Sequence, residues 1–485
     1  KKTSYYDNAV IKIYDIPIFY FPRLSHPDPT VERRSGFLPP AISDSKNLGL
    51  GVSVPYFFAI DVDKNFTLKS KIFNTENPLF VGEYHQAFRN SNFLADFGYT
   101  DGYKKTSKTK KAGSKTHFFS KFVKNYQGKN NSKNSLSLSV QDISNDKYLK
   151  LYKIKSNLVD YNKDTLESSL KFTHEKEDFF FGLNASVYET LKETYNDKYE
   201  YIFPEITLDK NLFSDEKKGN LDLQTNLKVH NYDTNKLTNF LVNDFNFESK
   251  ENLFDNVFNS KILANLKNIN YESKNVDIYK DDSTSEIFGS LGLLSEINFQ
   301  KFRENSKHFF KPKMLVRLSP GSMRQETSGS RLTPTSAFDM NRISSINNYE
   351  TGITSTIGFD YKIKNNNLTK FDFSLAQVIN EKENKKMADK SSLNEKLSDL
   401  VGSSSFNITE NFKLNYNFSI DQNYNDFNYN EFGAKYDYGA LNLNFDYLSE
   451  SKHIGDEDYL KTELNIKNKD KGLLSFKTKR NLVTD

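Results

Sequence analysis

The chain has 485 residues, and its 67 lysines and arginines against 63 aspartates and glutamates give a net charge of +4. Charges this close to balance give no reason to expect a nucleic-acid-binding protein, and the absence of cysteine excludes disulfides and thiolate metal sites within the chain. Only 36% of the residues are hydrophobic while 14% are aromatic, which disfavours disorder and indicates sheets with one apolar and one wet face, either open antiparallel sheets or a membrane β-barrel.

The first element in chain order is an alternating segment, residues 9–21, which predicts the last strand of a domain that begins upstream. Six prolines follow between Pro17 and Pro40. Each proline fixes φ and biases the residue before it away from the α conformation, so the stretch before Arg33 and Arg34 predicts a rigid, extended connector.

After Gly36 the pattern changes to alternation, and residues 48–58 predict a strand with one apolar face. Pro55 lies inside this strand, where it removes a donor from the hydrogen-bond ladder. A proline in that position belongs at a sheet edge, at a bulge or in a weak seam.

Alternating segments then recur almost to the end of the chain, at residues 66–72, 93–99, 135–141, 179–188, 221–229, 291–299, 412–420, 441–447 and 460–466. These segments have 7–10 residues, close to the roughly 8–11 residues that a tilted strand needs to cross a bilayer. The longest uncharged apolar run, residues 48–60, is too short for a transmembrane helix. Alternation alone does not separate a soluble sandwich from a barrel, but about 450 residues without a domain break exceed the roughly 250 of most single-unit sandwiches.

The connectors between these segments differ in length. Residues 61–64 form a short one, whereas long polar connectors are predicted at residues 101–115, 270–286, 320–336 and 380–405. Short turns at one end and long loops at the other are typical of outer-membrane barrels. The last connector could hold a short helix, and its run of charges predicts a solvated loop rather than a binding site.

No residue pattern indicates covalent chemistry. The seven histidines are scattered without metal-ligand spacing, and no nucleophile elbow, phosphate-binding loop or dinucleotide fingerprint is present. His26 and Asp28 could be a catalytic pair, but a rigid turn is the favoured interpretation. Arg33 and Arg34 could hold a phosphate, or they could form a charged collar at a membrane surface. We therefore expect no enzyme, no cofactor and no metal.

Residues 17–58 resemble the domain junction of the LptD family (also called OstA or Imp), which assembles lipopolysaccharide in the Gram-negative outer membrane. The motifs that carry the resemblance are Pro17–Pro22, His26–Thr30, Arg33–Leu38 and Gly51–Tyr56. Weaker similarities follow at residues 82–84, 146–149, 203–206, 311–313, 338–342 and 476–481.

The resemblance implies an all-β chain in which residues 1–33 are the end of a periplasmic β-jellyroll with its linker and residues 34–485 form a large antiparallel transmembrane β-barrel. It also implies a fragment that lacks most of the jellyroll and the last strands, with 20–24 strands of a 26-strand barrel, so the absence of cysteine says little about the full protein. The implied junction residues are Pro22, His26, Pro27, Asp28, Pro29, Arg33, Arg34, Ser35, Gly36, Phe37 and Leu38.

The function that the resemblance implies is a lipopolysaccharide translocon of the outer membrane, with a periplasmic N-terminal part. Lipopolysaccharide would enter the outer leaflet through a lateral gate between the first and last strands, and Pro39, Pro40 and Pro55 would weaken it. Each absent ladder bond lowers the cost of parting two strands by about 1 kcal/mol. The alternative is that Pro39 and Pro40 begin the first strand and Pro55 marks a bulge.

The implied partners are lipopolysaccharide, outer-membrane lipids, a periplasmic bridge protein like LptA that binds the jellyroll, and a plug lipoprotein like LptE; nucleic acid is not among them. Two functions from other classes remain open. A porin-like or receptor barrel for small solutes would show a constriction loop or a plug instead of a weak seam. A secreted β-rich adhesin would be soluble without detergent.

Overall fold

The structure is a computed structural model. It describes residues 3–13, 16–27, 33–106, 112–192, 194–195, 197–251, 258–327, 329–365, 368–451, 455, 457–468 and 472–482.

Strands make up most of the described chain, and the helix content is one short α-helix and two single 3₁₀ turns among the described residues. The elements in chain order are β1 (Thr3–Ile13), β2 (Ile16–Pro27), β3 (Gly36–Phe37), β4 (Ala41–Ser45), β5 (Gly49–Ala59), β6 (Lys64–Phe73), β7 (Leu79–Ala87), β8 (Ser91–Thr100), β9 (Lys115–Gln127), β10 (Lys133–Ile143), α1 (Tyr148–Tyr152), β11 (Thr165–Lys176), β12 (Phe179–Thr190), β13 (Tyr199–Asp215), β14 (Gly219–Tyr232), β15 (Lys236–Ser249), β16 (Asn259–Lys274), β17 (Thr284–Glu296), β18 (Phe299–Arg303), β19 (Ser306–Ser319), β20 (Gly352–Asn365), β21 (Leu368–Asn380), β22 (Leu400–Asn407), β23 (Phe412–Ile420), β24 (Phe427–Tyr438), β25 (Leu441–Glu450), β26 (Asp458–Asn468) and β27 (Gly472–Asn481).

The chain divides into two compact units. Unit 1 comprises Lys1–Ile206 and Lys228–Leu237, and unit 2 comprises Thr207–Leu227 and Thr238–Asp485. In unit 1, β4–β12 form a meander in which each strand pairs antiparallel with the next. In unit 2, β16–β27 form a second antiparallel series, in which β17 and β18 both pair with β19.

The fold class predicted from the sequence, all-β with a large antiparallel β-barrel, is confirmed. The barrel sheet has 25 strand segments among the described residues. We call each strand position in this sheet a row. Two rows are each made of two segments, because β3 and β4 both pair with β5 while β17 and β18 both pair with β19. The 25 segments therefore fill 23 rows, inside the predicted range of 20–24. The predicted division at residue 33 stays a prediction.

The proline-rich stretch before Arg33 is more regular than the sequence predicts. Residues 16–27 form β2, which pairs with β1 in a separate two-stranded antiparallel sheet. These residues are extended, as predicted, but they form a strand paired with β1 rather than a connector. Pro17 is accommodated where the register shifts, between Ile11 and Lys12 of β1, because a bulge tolerates a residue without a donor.

The two faces of the main strands differ as the alternation predicts. On β19, the exposed face carries Phe310, Met314, Val316 and Leu318, while Arg317 on the opposite face is fully buried. On β7–β9 of unit 1, the exposed face carries Phe80, Phe97, Tyr99 and Phe118, and the opposite face carries Leu79, Asp96, His117 and Phe119, all buried. We call the buried side the inner face, because the long loops pack on it.

Long and short connectors lie at opposite ends of the strands within each unit. In unit 1 the long connectors are residues 101–114 and 144–164, and the short turns are residues 60–63, 88–90 and 177–178. In unit 2 the two longest connectors, residues 320–351 and 381–399, lie at the same end of the strands. The predicted connector at 380–405 ends earlier than expected, since Leu400–Asn407 form β22.

Candidate functional site

The junction residues attach to the second strand of the sheet, β5, and to the turn that follows it. Arg33 Nη1 donates to the carbonyl oxygens of Asp61 at 3.2 Å and Val62 at 2.6 Å, and its guanidinium lies 5.7 Å from the ring centre of Phe57. Ser35 Oγ accepts a bond from the amide of Ala59 at 2.9 Å. The junction is therefore hydrogen-bonded to the C-terminal end of β5 and to the short turn that follows it.

The other predicted junction residues fall in three places. Pro22, His26 and Pro27 belong to β2. Asp28 and Pro29 lie outside the described residues. Arg34 is exposed beside Arg33, and the phosphate site and the charged collar both stay predictions.

The first row of the sheet is interrupted at two of the predicted gate residues. Gly36 and Phe37 of β3 pair with Phe57 and Tyr56, and the Leu38 amide donates to the Pro55 carbonyl at 2.9 Å. Ala41, where β4 begins, pairs with Ser53 instead of Val52. The register has shifted by one residue, so Pro39 and Pro40 form a one-residue β-bulge.

The direction of each missing donor follows from the ladder. Successive amides of a strand point to alternate sides. The carbonyl of Pro55 accepts from Leu38, so the donor that Pro55 lacks would also have faced the first row. Leu38 and Ala41 both pair with β5, and Pro39 and Pro40 lie between them. The two amide donors that these prolines lack are therefore missing from the bulge and from the side of the strand that faces away from β5. The three prolines thus weaken both sides of one row.

Aromatic side chains line the exposed face beside this bulge. Phe37, which is 75% exposed, meets the edge of the Tyr56 ring at a centroid distance of 4.9 Å. Tyr56 and Phe58 follow at 4.6 Å, and Phe58 and Phe66 at 5.7 Å. An aromatic band at the end of the strands is where a membrane interface is expected in a transmembrane barrel.

The long connector 320–351 of unit 2 packs on the inner face, which alternation could not reveal. Arg317 Nε on β19 donates to the carbonyl of Met340 at 2.7 Å, and Thr356 Oγ1 on β20 donates to that of Ala337 at 2.9 Å. Arg331 near the middle of the loop pairs with the buried Glu450 at the end of β25. We name residues 320–351 the inner loop.

A buried charge cluster holds the end of the inner loop. Glu350 accepts from Arg342 Nε at 2.8 Å and from the Arg342 amide at 3.2 Å, and it lies 3.6 Å from Arg317 Nη1. Burial opposes ionisation of Glu350, but the two arginines outweigh it and lower its pKa. Because the cluster lies around a loop, its removal would free the loop rather than the strands.

Connector 381–399 combines exposed and buried residues. Its charged residues Lys382, Glu383 and Lys385 are exposed, as predicted, but Met387 and Leu393 are buried with Met323 and Leu332 of the inner loop. The short helix that the sequence allowed is absent from residues 381–399, all of which the structure describes.

Unit 1 has a comparable inward-folded connector, residues 144–164, which contains α1. Tyr148 on α1 is fully buried, and its hydroxyl lies 3.1 Å from His117 Nδ1 on β9. His117 Nε2 lies 2.7 Å from Asp96 Oδ1 on β8. Around this network a core forms from Leu79, Phe119, Leu149 and Leu166, among others.

The described residues offer no group of three or more histidine, cysteine or acidic side chains that could hold a metal ion. Among the same residues, no helix has both the length and the hydropathy to cross a membrane.

Comparisons with known proteins identify a family. The family model LptD, LPS transport system D, matches residues 120–466, more than half of the chain. "LPS-assembly protein LptD" of Psychrobacter arcticus is 39% identical over 83 residues, which are 17% of this chain and 9% of that protein. The protein of the same name from Francisella tularensis subsp. novicida is 37% identical over 81 residues, again 17% of this chain and 9% of that protein.

Among solved structures, the chain is similar to the alcaligin outer membrane receptor FauA from Bordetella pertussis, at 8% identity and a TM-score of 0.26. That match covers 85% of this chain and 73% of the receptor. A likeness this weak carries no argument about function.

Proposed function

The chain belongs to the LptD family, and from that premise we propose that it is a lipopolysaccharide translocon of the outer membrane. The observation that carries the proposal is the interrupted first row, with Pro39 and Pro40 in a bulge and Pro55 opposite Leu38. A β-barrel in lipid normally pairs every backbone group, which makes opening it prohibitive. Missing hydrogen-bond donors along one row lower the free energy needed to separate its strands from their neighbours.

In this proposal the chain contributes surfaces rather than chemistry. The exposed apolar face would contact membrane lipid, and the polar inner face would pass the saccharide part of the substrate. Lipid A would leave beside Arg33–Leu38, where the aromatic band lies. No catalytic residue and no cofactor takes part, so the energy for transport comes from outside the chain.

The proposal also includes partners. The resemblance of residues 17–58 to the family's junction supports a preceding periplasmic jellyroll, which would receive lipopolysaccharide from a bridge protein like LptA. A plug lipoprotein like LptE is proposed on the same ground.

One observation favours a porin-like barrel as the second candidate. The inner loop packs on the inner face and is attached to two strands by ion pairs. Arg324 of the loop pairs with Glu286 on β17, and Arg331 pairs with Glu450 on β25. Constriction loops that narrow a pore have this arrangement. The second candidate predicts solute flux with no dependence on the prolines of the first row.

The proposal is tested by replacing Pro40 and Pro55 together with alanine in the intact protein. Alanine restores two potential ladder donors, each worth about 0.5–1.5 kcal/mol, so the gate should open less readily and lipopolysaccharide should reach the cell surface more slowly. Surface lipopolysaccharide and antibiotic permeability are the measurements.

Pro312→Ala is the matched control, since Pro312 lies within β19, where it pairs with Phe359 of β20. It should leave export unchanged. Normal export and permeability in the Pro40→Ala/Pro55→Ala protein would contradict the gate.

A further inference from the structure

Five lysines lie on the inner face of two neighbouring strands, beside the inner loop. Lys307, Lys311 and Lys313 alternate along β19, and Lys362 and Lys364 alternate along β20. The register pairs Lys307 with Lys364 and Lys311 with Asp360. We call these five residues the lysine patch.

The lysine patch borders a cavity of about 520 Å³. Four of its lysines line the cavity, together with Asp360, Asp372 and the hydroxyl residues Thr335 and Ser374. Thr335 belongs to the inner loop, so the loop forms one wall of the cavity. A cavity of this volume is large enough for a phosphate group with part of a sugar ring.

The acidic groups near the lysine patch are already engaged. Lys313 Nζ lies 2.8 Å from Asp360 Oδ2, and Ser374 Oγ donates to Asp360 Oδ1 at 2.7 Å.

Two further ion pairs follow the same pattern. Lys362 Nζ lies 3.0 Å from Asp372 Oδ2, and Lys311 Nζ lies 3.3 Å from Glu296 Oε2 on β17. The four lysines that line the cavity exceed by one the three carboxylates that pair with them, Asp360, Asp372 and Glu296. The site therefore keeps one positive charge in excess.

The cation of Lys364 lies against an aromatic ring. Its ammonium is 5.6 Å from the ring centre of Phe309, within the distance at which a cation is attracted to the face of an aromatic ring. An anion entering the cavity would meet this ammonium and the donors of the neighbouring lysines. In a recess partly screened from water, such contacts are stronger than at an open surface.

We propose that the lysine patch is a binding site for the phosphate groups of an oligosaccharide. The site rests on the proposed function, since it lies on the polar face along which the saccharide would pass. Several lysines spaced along two strands suit a saccharide with more than one anionic group. As the saccharide moves, each anionic group can leave one lysine and bind the next. The patch would hold the saccharide in transit rather than retain it tightly.

A matched pair of lysines exists on another wall of the same unit. Lys477 Nζ on β27 lies 2.8 Å from Glu463 Oε1, as Lys362 does from Asp372. Lys479 Nζ lies 4.1 Å from the ring centre of Tyr459, as Lys364 lies near Phe309. This pair has the same chemistry without the three further lysines of the patch.

The experiment measures equilibrium binding of a fluorescent, deacylated core oligosaccharide to the purified full chain in detergent. The probe is used with its phosphates and after their enzymatic removal, and inorganic phosphate is added as a competitor. Lys362→Gln/Lys364→Gln is compared with Lys477→Gln/Lys479→Gln.

We expect the Lys362→Gln/Lys364→Gln protein to bind the phosphorylated probe about tenfold or more weakly, because two charge-assisted contacts are lost. The Lys477→Gln/Lys479→Gln protein should change less than twofold. The dephosphorylated probe should bind both variants and the parent alike. Competition by millimolar inorganic phosphate would identify the phosphates as the bound groups.

Equal weakening by both double variants would overturn the site, as would equal binding of the two probes by the parent protein. The measurement is independent of transport. If the binding test fails while lipopolysaccharide export is normal, the lysine patch is refuted and the translocon is not. If the chain prefers the phosphorylated probe but does not support export, the translocon alone is refuted.

Discussion

Glu350 shows at the scale of one residue why the inner loop stays in place. It is buried with Arg342 and Arg317, and removing one partner of such a cluster leaves an uncompensated buried charge, which typically costs about 3–5 kcal/mol. Because the pKa of Glu350 is lowered, this stabilisation is present above the carboxyl's unfolded pKa and is lost as the pH falls through the folded value.

The prediction concerns mobility of the inner loop. A fluorophore on Ser330→Cys, an exposed position in a chain without other cysteines, should keep a constant anisotropy from pH 8 down to about 4.3, the usual glutamate value, and lose it in more acidic solution. In the Glu350→Gln protein the inner loop should be mobile already at pH 7, and the loss of anisotropy in acid should disappear.

Glu383→Gln is the control, because Glu383 is exposed on the neighbouring connector. It should behave like the parent chain. An acid transition that persists unchanged in Glu350→Gln would assign the effect to other carboxyl groups.

At the scale of an element, α1 depends on a polar network beneath it. The helix has five residues, too few to be stable alone, and Lys153, which ends it, has a left-handed φ of 47°. Its position is therefore set by burial of Tyr148 and Leu149 and by the contact of Tyr148 with His117.

Replacing His117 with asparagine should destabilise unit 1, because Asp96 and Tyr148 would both lose a buried partner. Each such loss costs about 1–3 kcal/mol. The midpoint of heat-induced loss of β-sheet circular dichroism is the measurement.

His230→Asn is the matched control. His230 Nε2 lies 2.7 Å from Glu200 Oε1, the same distance as in the His117 pair, but Glu200 is half exposed. The control should therefore shift stability by no more than about 0.5 kcal/mol. Equal shifts in the two variants would show that burial of the His117 network does not matter.

At the scale of the whole molecule, the apolar side chains on the exposed face decide how the protein behaves in solution. Phe37, Ile72, Ile287 and Leu291 are all more than half exposed, and a soluble protein seldom leaves so much apolar surface open. A membrane barrel does so by construction.

The purified chain should therefore need detergent, and an unheated sample should migrate faster on a denaturing gel than a boiled one. Equal migration together with solubility after detergent removal would contradict the barrel and favour the adhesin.

Period-2 alternation and connector length were enough to predict the fold class. Each strand carries its own signal, because successive side chains point to opposite faces. Elements such as β6, β8 and β25 therefore lie where residues 66–72, 93–99 and 441–447 predicted them. Two exceptions are β2, where prolines obscured a strand that pairing with β1 stabilises, and β22, which begins inside the predicted connector 380–405.

The sequence by itself determined many of the strands, the presence of long polar loops between them and the positions of Pro39, Pro40 and Pro55, because these depend on neighbouring residues. The tertiary structure alone decided that Pro39 and Pro40 form a bulge, that the inner loop folds back on the strands, and that the lysine patch gathers on one face. These features depend on register and on partners far apart, such as Arg331 and Glu450, which are 119 residues apart in the chain. No local pattern records such pairings.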